Sequence, residues 1–93
     1  MPEGSEMMLE YVVQILREAG QYVAQAMPLD VMSSGQTPQA AREALAEAVR
    51  VFVATAKEMG TFEDILEECG YRQEGGRWNC PEWVATERQA LAI

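Results

Sequence analysis

Histidine is missing from this chain of 93 residues, and cysteine occurs only twice. Without histidine there is no imidazole to act as the base for a nucleophile, and Ser33 and Ser34 sit in a turn-like stretch with no obvious activator. Cys69 and Cys80 lack the further Cys or His ligands, about four in all, that a structural zinc needs. Aspartate is also scarce. Asp30 falls beside an expected loop and Asp64 at an expected helix start, so both read as structural residues and not as a two-metal centre. No run approaches the ~18 apolar residues of a membrane-spanning helix. The opening MPEGSEMMLE has neither the basic segment nor the apolar core of a secretory signal. These absences lead to the expectation of a cytoplasmic protein that is not an enzyme, with no cofactor, no metal and reduced thiols.

Positive charge is the next shortage. Seven basic residues against 15 acidic ones leave a net charge of −8. Affinity for nucleic acid comes mainly from clustered Lys and Arg, so direct nucleic-acid binding is not expected and a basic protein is the better partner. Acidity of this degree also serves solubility. The apolar fraction, 48%, is enough for one hydrophobic core, and residues 1–93 are expected to form a single domain. A domain of this size buries roughly 60 to 65% of its unfolded surface, which makes a homodimer or higher homo-oligomer an expected state.

The sharpest local pattern is SSGQTPQAAREAL, residues 33–45. Gly35 ends one element, Thr37 caps the next, and Pro38 takes the first helical position, where its missing N–H costs nothing. A helix is expected from Gln36 to Gly60, with Ala41, Ala44, Leu45, Ala48, Phe52, Thr55, Ala56 and Met59 as its buried stripe. Glu43 and Glu47 fall on the other side as a like-charge i,i+4 pair that local energetics does not favour. A second helix follows. Thr61 and Asp64 have the spacing of a capping box, Phe62, Ile65, Leu66 and Cys69 line one face, Glu63, Glu67 and Glu68 the other, and Gly70 ends it. Tyr71 to Glu74 and Arg77 to Cys80 flank Gly75-Gly76, a two-residue hairpin turn. After Pro81, WVATERQALAI fits either an extended edge strand or a last helical turn or two.

The first third has two periodicities. Met8, Tyr11, Val12, Ile15, Leu16 and Ala19 fit a helical stripe, whereas Leu9, Tyr11, Val13 and Ile15 alternate as a strand. Gly20, the short alternating QYVAQA, the break at Pro28 and the extended DVMSSGQ favour strands. The expected fold is therefore α+β: a three-stranded antiparallel meander packed on a long helix, followed by a short helix and a small C-terminal hairpin, in the order β-β-β-α-α-β-β.

This order resembles the HicB family of antitoxins, whose N-terminal domain is a three-stranded meander with a long helix, a partial RNase H-like fold. EYVVQILREAGQYVAQA is similar to the family's first hairpin, with Gly20 and Tyr22 in place of its Gly-Tyr pair. Gly35, Thr37, Ala41 and Leu45 match the junction and the helix that follows. The resemblance covers residues 9–59. Residues 61–93 offer no basic recognition element, so the DNA-binding module found in many members is not implied. What the resemblance implies is a protein that works by binding, its partner a small basic RNA-cleaving toxin of the HicA type whose active site it covers. Candidate partner-binding residues are Glu43, Glu47, Glu63 and Glu67, with Trp78 and Trp83 as anchors; the acids fit a solvated face as well, and the tryptophans fit a core. The alternative is a solitary oligomeric structural or adaptor domain of the same fold with no toxin partner.

Overall fold

The structure, a computed structural model, describes residues 7–93; residues 1–6, included in the single-domain expectation, lie outside the described residues. It is α+β, with strands Met8–Leu9 (β1), Val12–Glu18 (β2), Gln21–Met27 (β3) and Val31–Gly35 (β4), helices Pro38–Met59 (α1) and Phe62–Glu68 (α2), and strands Arg72–Glu74 (β5) and Arg77–Asn79 (β6).

Strand wins in the first third because the alternation there has a partner. β2, β3 and β4 form an antiparallel meander, with Ile15 opposite Ala24 and Ala24 opposite Ser33. The two-residue turn Ala19-Gly20 has positive φ at both positions, 49° and 81°, which matches the right-handed twist of the strands it joins. Side chains on paired positions share a face. Ile15, Tyr22, Ala24, Ala26 and Val31 therefore point to α1, and all five belong to or pack against the core. Val12, Leu16, Val23, Met27 and Met32 point the other way.

α1 begins and ends where its punctuation dictates. Thr37 is extended (φ −136°, ψ 160°), its Oγ1 accepts from the Ala40 N–H at 2.9 Å, and Pro38 follows. Gly60 is left-handed at φ 75°, and the Thr61 N–H returns to the Ala56 carbonyl at 3.0 Å. The buried face is Ala41, Leu45, Val49 and Ala56, with Phe52 and Val53 half-buried. Two members of the expected stripe, Thr55 and Met59, are exposed instead, Met59 by 70%. Val49, outside the expected stripe, is buried at 5% exposure. Small residues set the spacing: Ala24, Ala26 and Ala41 are fully buried, and a Cβ built on Gly35 would stand 2.7 Å from the Ala41 nitrogen.

The capping box expected at Thr61 does not form. Thr61 makes no side-chain cap; its hydroxyl donates back to the Ala56 carbonyl at 3.4 Å, because the chain turns from one helix into the next with no extended residue between them. α2 does end at Gly70 (φ 91°), where the Tyr71 N–H reaches the Leu66 carbonyl at 2.9 Å. The hairpin β5–β6 pairs Glu74 with Arg77 across Gly75-Gly76, with positive φ at Gly75 alone, the pattern of a type II′ turn. β6 also pairs in parallel with β1, Met8 opposite Arg77 and Leu9 opposite Trp78, giving a second small sheet in the order β1-β6-β5. Residues 80–93 are neither strand nor helix; they run without turn or bend and are largely exposed.

Candidate functional site

The four candidate acids are all exposed, and the fold does not gather them into one patch. Glu43 accepts from the Gln39 side chain at 3.0 Å, and Glu47 is ion-paired with Arg50 at 3.0 Å. Glu63 and Glu67 lie on α2, beyond the far end of α1, so about 18 Å of helix axis separates Glu47 from the turn that leads to them. Glu63 shares a small recess with Lys57, whose ammonium lies 5.3 Å from the Phe62 ring centre. Glu63 and Asp64 also complement the positive end of α2. The surface is acidic in total and mixed in detail.

The two tryptophans separate cleanly. Trp78 is 3% exposed and meets Phe62 edge-on, centroids 6.3 Å apart, so of its two expected roles it takes the core one. Trp83 stands on the C-terminal segment and keeps 40% of its surface exposed.

Glu10 has a part that periodicity did not announce. Its Oε1 accepts from the Cys80 N–H at 3.0 Å and from the Cys80 thiol at 3.1 Å, its Oε2 lies 3.5 Å from Arg77, and its carbonyl accepts from the Tyr71 hydroxyl at 2.6 Å. The hydrogen bonds from Cys80, ahead of the Arg77 charge, hold the Glu10 carboxyl below its ordinary value of 4.5. Burial first, and the nearby Cys80, Cys69 and Glu10 second, push the Tyr71 phenol well above the ordinary tyrosine range. Burial raises both thiols, with the Glu10 hydrogen bond adding to it at Cys80 and the Glu68 charge at Cys69. These bonds are a latch that ties Glu10 to Tyr71 and Cys80, residues 61 and 70 positions away in sequence.

Two apolar surfaces remain. One is a groove of about 830 Å³ between the first strand and α1, lined by Met8, Leu9, Tyr11, Val49 and Val53 with Arg50 and Lys57 among its walls. The other is the outer face of the meander, where Leu16 is 53% and Met32 59% exposed, and Val12, Val23 and Met27 are half-buried. Gln14 and Gln25 lie between these apolar rows.

No family model, curated protein or solved structure matches this chain. The surface chemistry therefore stands alone. Among the described residues no three His, Cys, Asp or Glu side chains are grouped to hold a metal ion, and no helix is long and apolar enough to cross a membrane. Asp30, one of the two aspartates, sits at φ 65° in the β3–β4 loop and accepts from the Gln25 amide at 2.6 Å. Asp64 is on α2. Among the described residues the arrangement offers exposed apolar faces and a mixed surface with an acidic excess.

Proposed function

We propose that this chain is a protein-binding domain on the HicB antitoxin plan, which occludes a small basic RNA-cleaving toxin of the HicA type. The observation that carries the reading is the meander delivered through Gly35, Thr37 and Pro38 into a long helix, the same residues on which the resemblance rests. The net charge of −8 supports a basic partner. Attraction between the two would act chiefly on the rate of encounter, so rising salt should slow association more than it speeds dissociation. The test is to recover from the source cell a small basic protein encoded beside this gene, and to measure its RNA cleavage with and without this chain. Cleavage should stop at equimolar addition. Cleavage that continues with this chain in excess removes the toxin from the proposal.

A second reading, a solitary oligomeric adaptor domain with no toxin, is favoured by a different observation. The outer sheet face exposes apolar side chains, Leu16 and Met32 among them, that the described residues leave uncovered.

A further inference from the structure

We propose that the C-terminal arm, residues 81–93, lies across the outer sheet face of a second copy of this chain, and that the second copy's arm returns the contact. The proposal rests on the oligomeric reading and is independent of any toxin.

Among the described residues the chain carries both halves of the contact and leaves much of each exposed. The radius of gyration is 15.5 Å, against about 12 Å for a compact chain of this length. The body is drawn out to 52 × 29 × 24 Å. The arm has no turn or bend, and after Pro81 its sequence EWVATERQALAI contains no Gly, Pro, Asn or Asp with which to make one. Yet it is apolar where a free tail would be polar: Val84 is 88% and Leu91 85% exposed, and Ile93 is fully exposed. In an extended chain Trp83, Ala85, Leu91 and Ile93 share one side, with Glu87 and Gln89 between them.

The sheet face has the matching order of chemistry. Val12 and Met27 form one apolar row, Leu16 and Val23 another, and Gln14 and Gln25 present amides between them, with Met32 beside Gln25 on β4. An arm of this length spans up to ~43 Å, several times the ~10 Å between the outer strands of a three-stranded sheet. A reciprocal exchange closes on itself as a two-fold dimer and leaves no unpaired arm to propagate a filament.

Sedimentation and light scattering of the full chain give the first measurement: a particle of twice 10.3 kDa at tens of micromolar. Two variants then divide the interface. Leu16→Glu with Met32→Glu spoils the face, and Leu91→Asp with Ile93→Asp spoils the arm; all four positions are exposed, so the circular dichroism spectrum at room temperature should be unchanged. Each variant alone should halve the mass. Mixed one to one they should form a heterodimer, because the intact arm of the first meets the intact face of the second, detectable by energy transfer between labelled copies. A wild-type monomer at 100 micromolar overturns the exchange and the oligomeric reading together. A dimer that survives the arm variant, or variants that do not complement each other, overturns the exchange and leaves the oligomeric reading standing.

Discussion

Gly35→Ala separates two physical effects that act with opposite sign. The φ of Gly35 lies outside the left-handed region, so an alanine there is conformationally allowed, and by restricting the unfolded chain alone it would stabilise by ~0.4–1 kcal/mol. Space decides otherwise. The new Cβ would stand 2.7 Å from the Ala41 nitrogen and 2.8 Å from the Ala40 carbonyl carbon and Cβ, where ordinary contact begins at 3.4 Å. Two of those three atoms are backbone in the first turn of α1 and cannot rotate away, so β4 and the helix must part by about 0.7 Å. Overpacking of this kind costs ~1–3 kcal/mol. A gap of ~0.5–1 Å also forfeits a quarter to a half of the dispersion energy at the Ala24, Ala26 and Ala41 contact it opens. Set against a total stability of ~5–14 kcal/mol for a chain of this length, a net loss of about 2–3 kcal/mol is expected, or a fall in Tm of ~10–20 °C. Urea and thermal unfolding, followed by far-ultraviolet dichroism, measure it. Gly20→Ala is the control: nothing lies within 4 Å of its Cβ, but φ is +81°, so it should lose ~1–2 kcal/mol from backbone strain alone. A Gly35→Ala protein as stable as the wild type, or more so, refutes the close approach of β4 to the helix.

Four further outcomes follow from the same geometry. Tyr71→Phe removes the hydroxyl that donates to the Glu10 carbonyl at 2.6 Å and should cost ~1–2 kcal/mol by urea titration, with a change under 0.3 kcal/mol counting against that bond. Ala19→Gly, at φ 49°, relieves a left-handed alanine in the β2–β3 turn and should raise Tm by several degrees, about 1 kcal/mol. Because the folded Glu10 carboxyl is held below its ordinary 4.5, its contribution is complete above that value and disappears as pH falls through the lowered one. The Tm difference between wild type and Glu10→Gln should therefore narrow from pH 6 to pH 3, and a difference independent of pH would contradict the assignment. Both thiols, raised chiefly by burial, should react with a disulfide reagent at pH 8 far more slowly in the folded protein than in urea.

What was legible in the sequence was local. Thr37, Pro38 and Gly60 mark the ends of α1 through bonds that span at most five residues, Gly20 and Gly75 mark turns by backbone freedom, and alternation with a nearby turn identifies β2 and β3. Harder features depended on what lies across the fold. Met59 has the helical phase of the buried stripe yet is 70% exposed, because burial at the end of a helix depends on what packs there and not on period alone. Thr61 and Asp64 had the spacing of a cap, but the preceding helix runs directly into α2 and takes the hydroxyl for itself. Met8–Leu9 is too short for any pattern, and its partner is β6 at the other end of the described chain. Among the candidate residues, the exposure of Glu43, Glu47, Glu63 and Glu67 follows from helix phase; that Trp78 is core and Trp83 is not depends on β6 lying against β1.

The parallel seam between β1 and β6 has a consequence for the order in which the molecule assembles. The bond from Cys80 to Glu10 joins residues 70 apart, and closing a loop of that length costs about 4 kcal/mol of chain entropy before any contact offsets it. The meander and α1 occupy residues 12–59 and pair neighbour with neighbour, so they can form without that closure. The seam should close last and open first. Its amides, Met8 to the Gly76 carbonyl and Glu10 to the Trp78 carbonyl, should exchange with solvent through a partial opening that leaves the amides of β3 protected.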